Sequence, residues 1–140
     1  IFNANNGSIE ATAERPGNST YSGPIVTGDS ATIAGGKTNQ ARGDFSSLVG
    51  GVSSCAIGKA SFVGGGTCNC VTGLSAFAGA GHINKVTGAA SSIVGGSSNT
   101  VAGSGAFIGG GNLNQAAAKE TFVGGGVSNT NGAACSVIVR

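Results

Sequence analysis

The chain has 140 residues, 28 of them Gly, with 9% charged and 5% aromatic residues and a formal net charge of +2. Gly at about three times ordinary usage excludes a helical fold, because each interior Gly costs roughly 0.5–1 kcal/mol in a helix relative to Ala. Gly does not recur at every third residue, which excludes collagen. A positive mean hydropathy supplied by Ile, Val, Leu and Phe excludes disorder. What remains is an all-β architecture with a tight turn at regular intervals.

The positive charges are scattered over Arg15, Lys37, Arg42, Lys59, Lys85, Lys119 and Arg140. They form no basic stripe to follow a phosphate backbone, so no nucleic-acid partner is expected. No apolar run approaches the ~20 residues that span a bilayer, so no membrane insertion by this segment is expected. The start at Ile1 without a Met reads as a processed or excised piece. Cys residues in a small Gly-rich β protein favour an oxidising, extracellular setting.

In chain order, residues 1–28 lie outside any repeat and read as a cap or docking segment, since a bare solenoid end exposes unpaired backbone. Asn5-Asn6-Gly7 reads as a hairpin turn between Ile1-Phe2 and Ile9. Asn6-Gly7-Ser8 and Asn18-Ser19-Thr20 are glycosylation sequons, which makes Asn6 and Asn18 acceptors if a eukaryotic host secretes the protein.

Residues 29–133 divide into seven fifteen-residue blocks without one insertion, from DSATIAGGKTNQARG to KETFVGGGVSNTNGA. A half-block, ACSVIVR at residues 134–140, closes the chain. Position three is always small, and position five is aliphatic: Ile33, Leu48, Val63, Ala78, Ile93, Ile108, Val123. Position eight is always Gly; position thirteen is Ala or Val except at Asn131; position fifteen is Gly until Ala118 and Ala133. Position eleven holds Asn39, Asn69, Asn84, Asn99, Asn114 and Asn129, with Ser54 the exception.

These columns describe a coil. Positions three to five form one strand, the Gly-rich positions six to eight turn the chain, positions eleven to thirteen form a second strand, and Gly at fifteen turns into the next coil. Each Gly supplies a positive φ or a close backbone approach. Coils stacked at ~4.8 Å make a column on the order of 34 Å long. The Asn column has two structural readings, an amide ladder running from coil to coil or tolerance of a left-handed turn.

Position four holds Phe62, Phe77, Phe107 and Phe122 in a chain with 6 Phe. If position five points inward, alternation sends position four outward. A column of outward Phe makes an apolar patch larger than soluble monomers expose. The expectation is an obligate oligomer with this Phe column at its contact; the alternative is a distorted coil in which both positions face inward. At the end, Ser136-Val137-Ile138-Val139 is a bare strand, which the full protein continues or another molecule meets.

The small–x–aliphatic–Gly run, as in Ser61-Phe62-Val63-Gly64, with Ala or Val at thirteen and Gly at fifteen, resembles the head repeats of YadA-like trimeric autotransporter adhesins. The resemblance covers residues 29–140. It implies a left-handed parallel β-roll and a homotrimer. The Gly-Gly-Gly turn and Asn column depart from that family's usual repeat, and no coiled-coil stalk or membrane anchor accompanies them. The trimer and the roll therefore carry over, and a bacterial outer-membrane origin does not.

Arg42-Gly43-Asp44 falls on the turn between the first two coils, where an exposed Arg-Gly-Asp could be read by an animal-cell integrin. The same tripeptide also follows from the repeat itself, which puts charge at turns and Gly at fifteen. Cys55 and Cys70 share position twelve of adjacent coils, so their Cα atoms fall within disulfide range; an interchain bond is the rival. A zinc site from Cys55, Cys68, Cys70 and His82 lacks the usual ligand spacing. The Gly-x-Gly strings lack the helix and Lys-Ser/Thr of phosphate loops. The acids share no column, so paired-carboxylate chemistry has no support. No catalytic residue, metal or cofactor is expected.

Two functions follow as expectations. One is a trimeric, non-enzymatic fibre or adhesin head on a cell or virion surface, whose partners are further copies of itself and a host-cell surface protein or glycan. The other is a subunit of an extracellular filament or shell that assembles by end-to-end stacking. A third, ice binding by a flat β-face, would want a Thr column, and the Thr residues here are scattered.

Overall fold

Short β-favouring pairs, flanked by Gly and repeated in step, satisfy their backbone by bonding to the equivalent pair one block on. The computed structural model describes residues 2–4, 9–15 and 19–140, with side chains from residue 23 onward. The chain is an all-β parallel solenoid of about eight turns, about fifteen residues per turn, and no described residue is helical.

Two nine-stranded sheets run along the column. The first contains β1 (Phe2–Ala4), β4 (Ala31–Ile33), β6 (Ser47–Leu48), β8 (Phe62–Val63), β10 (Phe77–Ala78), β12 (Ser92–Ile93), β14 (Phe107–Ile108), β16 (Phe122–Val123) and β18 (Val137–Ile138). The second contains β2 (Ile9–Arg15), β3 (Ser19–Val26), β5 (Gln40–Ala41), β7 (Cys55–Ala56), β9 (Cys70–Val71), β11 (Lys85–Val86), β13 (Thr100–Val101), β15 (Gln115–Ala116) and β17 (Thr130–Asn131). A third line of single parallel bridges joins position nine, from Lys37↔Val52 to Asn112↔Val127. Register is strict, as in Phe62↔Phe77 and Cys55↔Cys70. The N–H of one coil donates to a carbonyl of the next, as from Ser47 to Ser61 at 2.9 Å.

The core is a thin pillar. Ile33, Leu48, Val63, Ala78, Ile93, Ile108 and Val123 are at most 1% exposed, and they meet the buried Ala or Val of position thirteen. Burying an aliphatic of this size stabilises by about 1.5–3 kcal/mol, so stability accumulates coil by coil. The Gly columns have separate causes. At position eight, Gly66 has φ +84° and a Cβ there would lie 2.1 Å from the Gly81 carbonyl oxygen. At position fifteen, Gly58 needs no positive φ, but a Cβ would lie 2.0 Å from the Gly73 carbonyl oxygen.

Two sequence expectations change. Positive φ is not confined to Gly: positions two and ten, from Ser30 to Cys135, hold non-Gly residues at φ 51–57° in nearly every coil. Phe45, Ile83 and Leu113 are among them. From Phe45 onward each is held by an N–H bond to the preceding coil, as Ile83 to the Thr67 carbonyl at 3.0 Å. The Asn column is neither an amide-to-amide ladder nor a left-handed turn. Its side chains are buried, and from Asn39 to Asn114 each Nδ2 donates to two backbone carbonyls, as Asn99 does to Gly95 at 3.2 Å and Gly111 at 3.0 Å. From Asn39 to Asn114 each Oδ1 accepts the backbone N–H of position eleven in the next coil, Ser54 for Asn39 and an Asn for the rest, as Asn99 does from Asn114 at 2.9 Å. Only between Asn114 and Asn129 does an amide-to-amide bond join them, at 3.1 Å.

The ends differ. β1 pairs antiparallel with β4, and β2 pairs antiparallel with β3, which runs parallel to β5. Strands on either side of Asn5-Asn6-Gly7 thus lie in different sheets and form no hairpin with each other. At the far end Asn131 replaces the core aliphatic; its Nδ2 donates to the Phe122 carbonyl at 3.3 Å and the Ser136 carbonyl at 3.1 Å. The Ser136 hydroxyl donates to Asn131 Oδ1, which closes the pillar with polar groups.

Candidate functional site: the outer face of the first sheet

Strict alternation across the first sheet buries position five and turns position four outward. Phe77 and Phe122 are 37% and 38% exposed, while Phe62 and Phe107 are half-buried. The distorted coil with both positions inward is therefore not adopted. The four rings form two stacks: Phe62 and Phe77 have centroids 5.3 Å apart and planes 5° from parallel, and Phe107 and Phe122 have 5.1 Å and 8°.

Each ring lies over a Gly two residues along its own strand. A Cβ on Gly64 or Gly79 would lie 3.4 Å from Cε1 of Phe62 or Phe77, and one on Gly109 3.6 Å from that of Phe107. Coils without a Phe do the reverse. Thr32, Ser47 and Ser92 are followed at position six by Ala34, Val49 and Val94. Every coil thus presents one apolar side chain to this face, from position four or from position six, the aromatic covering a bare backbone in the first case. No charged residue occupies positions three to eight of any complete coil.

Of the other sequence-derived candidates, Arg42-Gly43-Asp44 forms a pinned corner. Arg42 and Asp44 are exposed, and Gly43 is buried with no room for a Cβ, which would sit 2.2 Å from the Gly58 carbonyl oxygen. The Arg42 N–H donates to the Ala56 carbonyl at 2.9 Å, and Asp44 Oδ1 accepts the Asp29 N–H at 3.0 Å. Cys55 and Cys70 form a disulfide with Cα atoms 4.6 Å apart. That bond withdraws both from the zinc set, and among the described residues no three His, Cys, Asp or Glu side chains cluster for a metal. Cys68 and Cys135 are free and exposed. The Glu120 carboxylate accepts from Cys135 at 3.4 Å and holds its thiol above the ordinary value; Lys119, 3.1 Å away, and Cys135 together hold Glu120 below its own. Asn6 and Asn18 lie outside the described residues.

The coupling of Phe with Gly two residues on, and of Ser or Thr with Val or Ala, was present in the sequence but invisible column by column. It appears only when positions four and six are compared within one coil. No protein-family model matches this chain, and no curated protein matches it.

Proposed function

We propose that the chain is a non-enzymatic structural or adhesive protein, a left-handed β-roll that associates with two identical copies into the trimeric head or fibre of an extracellular or virion-surface appendage. The observation behind this reading is the uncharged apolar outer face of the first sheet, whose Phe rings stay partly in water in a single chain. A monomer exposing such a strip along its whole height is disfavoured by the hydrophobic effect, and burial between copies removes the penalty. A host-cell surface protein or glycan is then met at the remaining sides, where the Arg42-Gly43-Asp44 corner stands. The exposed last strand, with Val137 67% and Val139 75% exposed, favours the second reading of end-to-end assembly; the polar closure by Asn131 and Ser136 weighs against it.

Native mass by light scattering after size exclusion, with negative-stain images, tests this. Discrete trimers are expected. A monomer at micromolar concentration overturns the lateral contact, and long filaments transfer the function to end-to-end stacking.

A further inference from the structure

Six of the seven complete coils place Gly at position seven: Gly35, Gly50, Gly65, Gly95, Gly110 and Gly125. The protomer itself does not require it. None has a positive φ, and a Cβ on Gly35, Gly50, Gly65, Gly110 or Gly125 would meet nothing within 4 Å. The remaining coil carries Ala80, so the backbone accepts a side chain there. A Gly that is costly in entropy and unneeded internally marks a backbone that something else approaches closely. This shelf borders the strip of Phe and Val side chains on the outer face of the first sheet.

We propose that the strip and its glycine shelf form one flat contact surface for a second copy of this chain. The inference rests on the oligomeric reading above and adds what the contact is made of: apolar side chains of positions four and six on one copy, close to the bare backbone of position seven on the other. Three observations select a second copy as the occupant. The surface has no charge, and its side-chain polar groups are the hydroxyls of Thr32, Ser47 and Ser92, too few and too spread to orient a glycan. Its levels recur at the coil step, 4.6 Å between Cα atoms at the disulfide, and a second copy has the same step at every level. The area also suffices. With roughly 200 Å² for a whole Phe side chain, the exposed third leaves about 70 Å² per level. Seven levels of at most that order come to about 500 Å² per copy before the shelf is added, or about 1,000 Å² for a pair, the lower end of a specific interface.

The test substitutes the shelf at two levels, Gly65→Leu with Gly110→Leu, and compares native mass with that of the wild type. Ala102→Leu, at an exposed site outside the strip, is the control. The shelf variant is expected to keep its far-UV circular dichroism and fall to monomer mass, while the control keeps wild-type mass. Gly65→Ala with Gly110→Ala, for which Ala80 guarantees a fitting backbone, is expected to weaken assembly by about tenfold or more in dissociation constant. Wild-type mass in both shelf variants overturns the proposal, as does equal loss in the control. A monomeric wild type instead removes the oligomeric reading itself, so the two failures are distinguishable.

Discussion

A single buried amide does three jobs in this fold, and Ser54 shows what its absence leaves. Asn39 and Asn69 on either side each cap two turn carbonyls through Nδ2. Ser54 keeps the rung, its hydroxyl accepting the Asn69 N–H at 3.3 Å, but donates to the nearby Val52 carbonyl at 3.5 Å rather than to the two turn carbonyls. Ser54→Asn would supply donors to the carbonyls of Gly50 and Gly66, and we expect a gain of about 1–2 kcal/mol, read as a higher urea midpoint. Asn99→Ala should lose about 2 kcal/mol or more, because the buried Asn114 N–H and the half-buried Gly95 carbonyl lose this partner together, while the Gly111 carbonyl keeps the Ser97 N–H. The left-handed residues offer the opposite opportunity. Ile83 is β-branched at φ 54° and 51% exposed, so its strain is not offset by burial. Ile83→Asn, a residue that tolerates this conformation, should stabilise by about 1 kcal/mol in the same measurement.

At the scale of a strand, the two versions of the outer face are separate local solutions. A Cβ on Gly79 would stand 3.4 Å from the Phe77 ring and 2.3 Å from the Val94 carbonyl oxygen. Gly79→Val alone should therefore destabilise clearly, since the ring and the backbone must both shift. Phe77→Ser alone uncovers the Gly79 backbone and loses a stacked ring. The double change rebuilds the Ser-x-Val pattern that Ser92 and Val94 already use, so its cost should be smaller than the sum. A double-mutant cycle by chemical unfolding should return a favourable coupling of about 1 kcal/mol or more; simple additivity would refute the pairing of the two positions.

At the scale of the whole molecule, hydrogen bonds among the described repeat residues run within a coil or between neighbouring coils, so perturbations should stay local. The Cys55–Cys70 bond closes a loop with a sequence separation of 15, which on chain-entropy grounds contributes about 3 kcal/mol. Reduction, or Cys55→Ser with Cys70→Ser, should speed amide exchange in β5, β7, β9 and β11. It should leave β14 and β16 near their oxidised rates. Exchange rising equally along the column would mean that the solenoid unfolds as one unit.

How much was legible follows from which contacts each feature depends on. Repeat length, parallel in-register stacking, the inward columns and the outward Phe are one-dimensional properties. Unbroken spacing and strand alternation determine them, and so does the disulfide geometry of two Cys one period apart. The tertiary structure alone decided the left-handed residues at positions two and ten, because an N–H bond to the preceding coil holds them there against the preference of Phe45, Ile83 and Leu113. It also decided that the Asn amides serve carbonyls of the turns rather than each other, and that the strands flanking Asn5-Asn6-Gly7 join separate sheets. Each of these depends on which backbone groups the folded coil and its neighbours bring within reach, distances that the order of residues in a repeat does not contain.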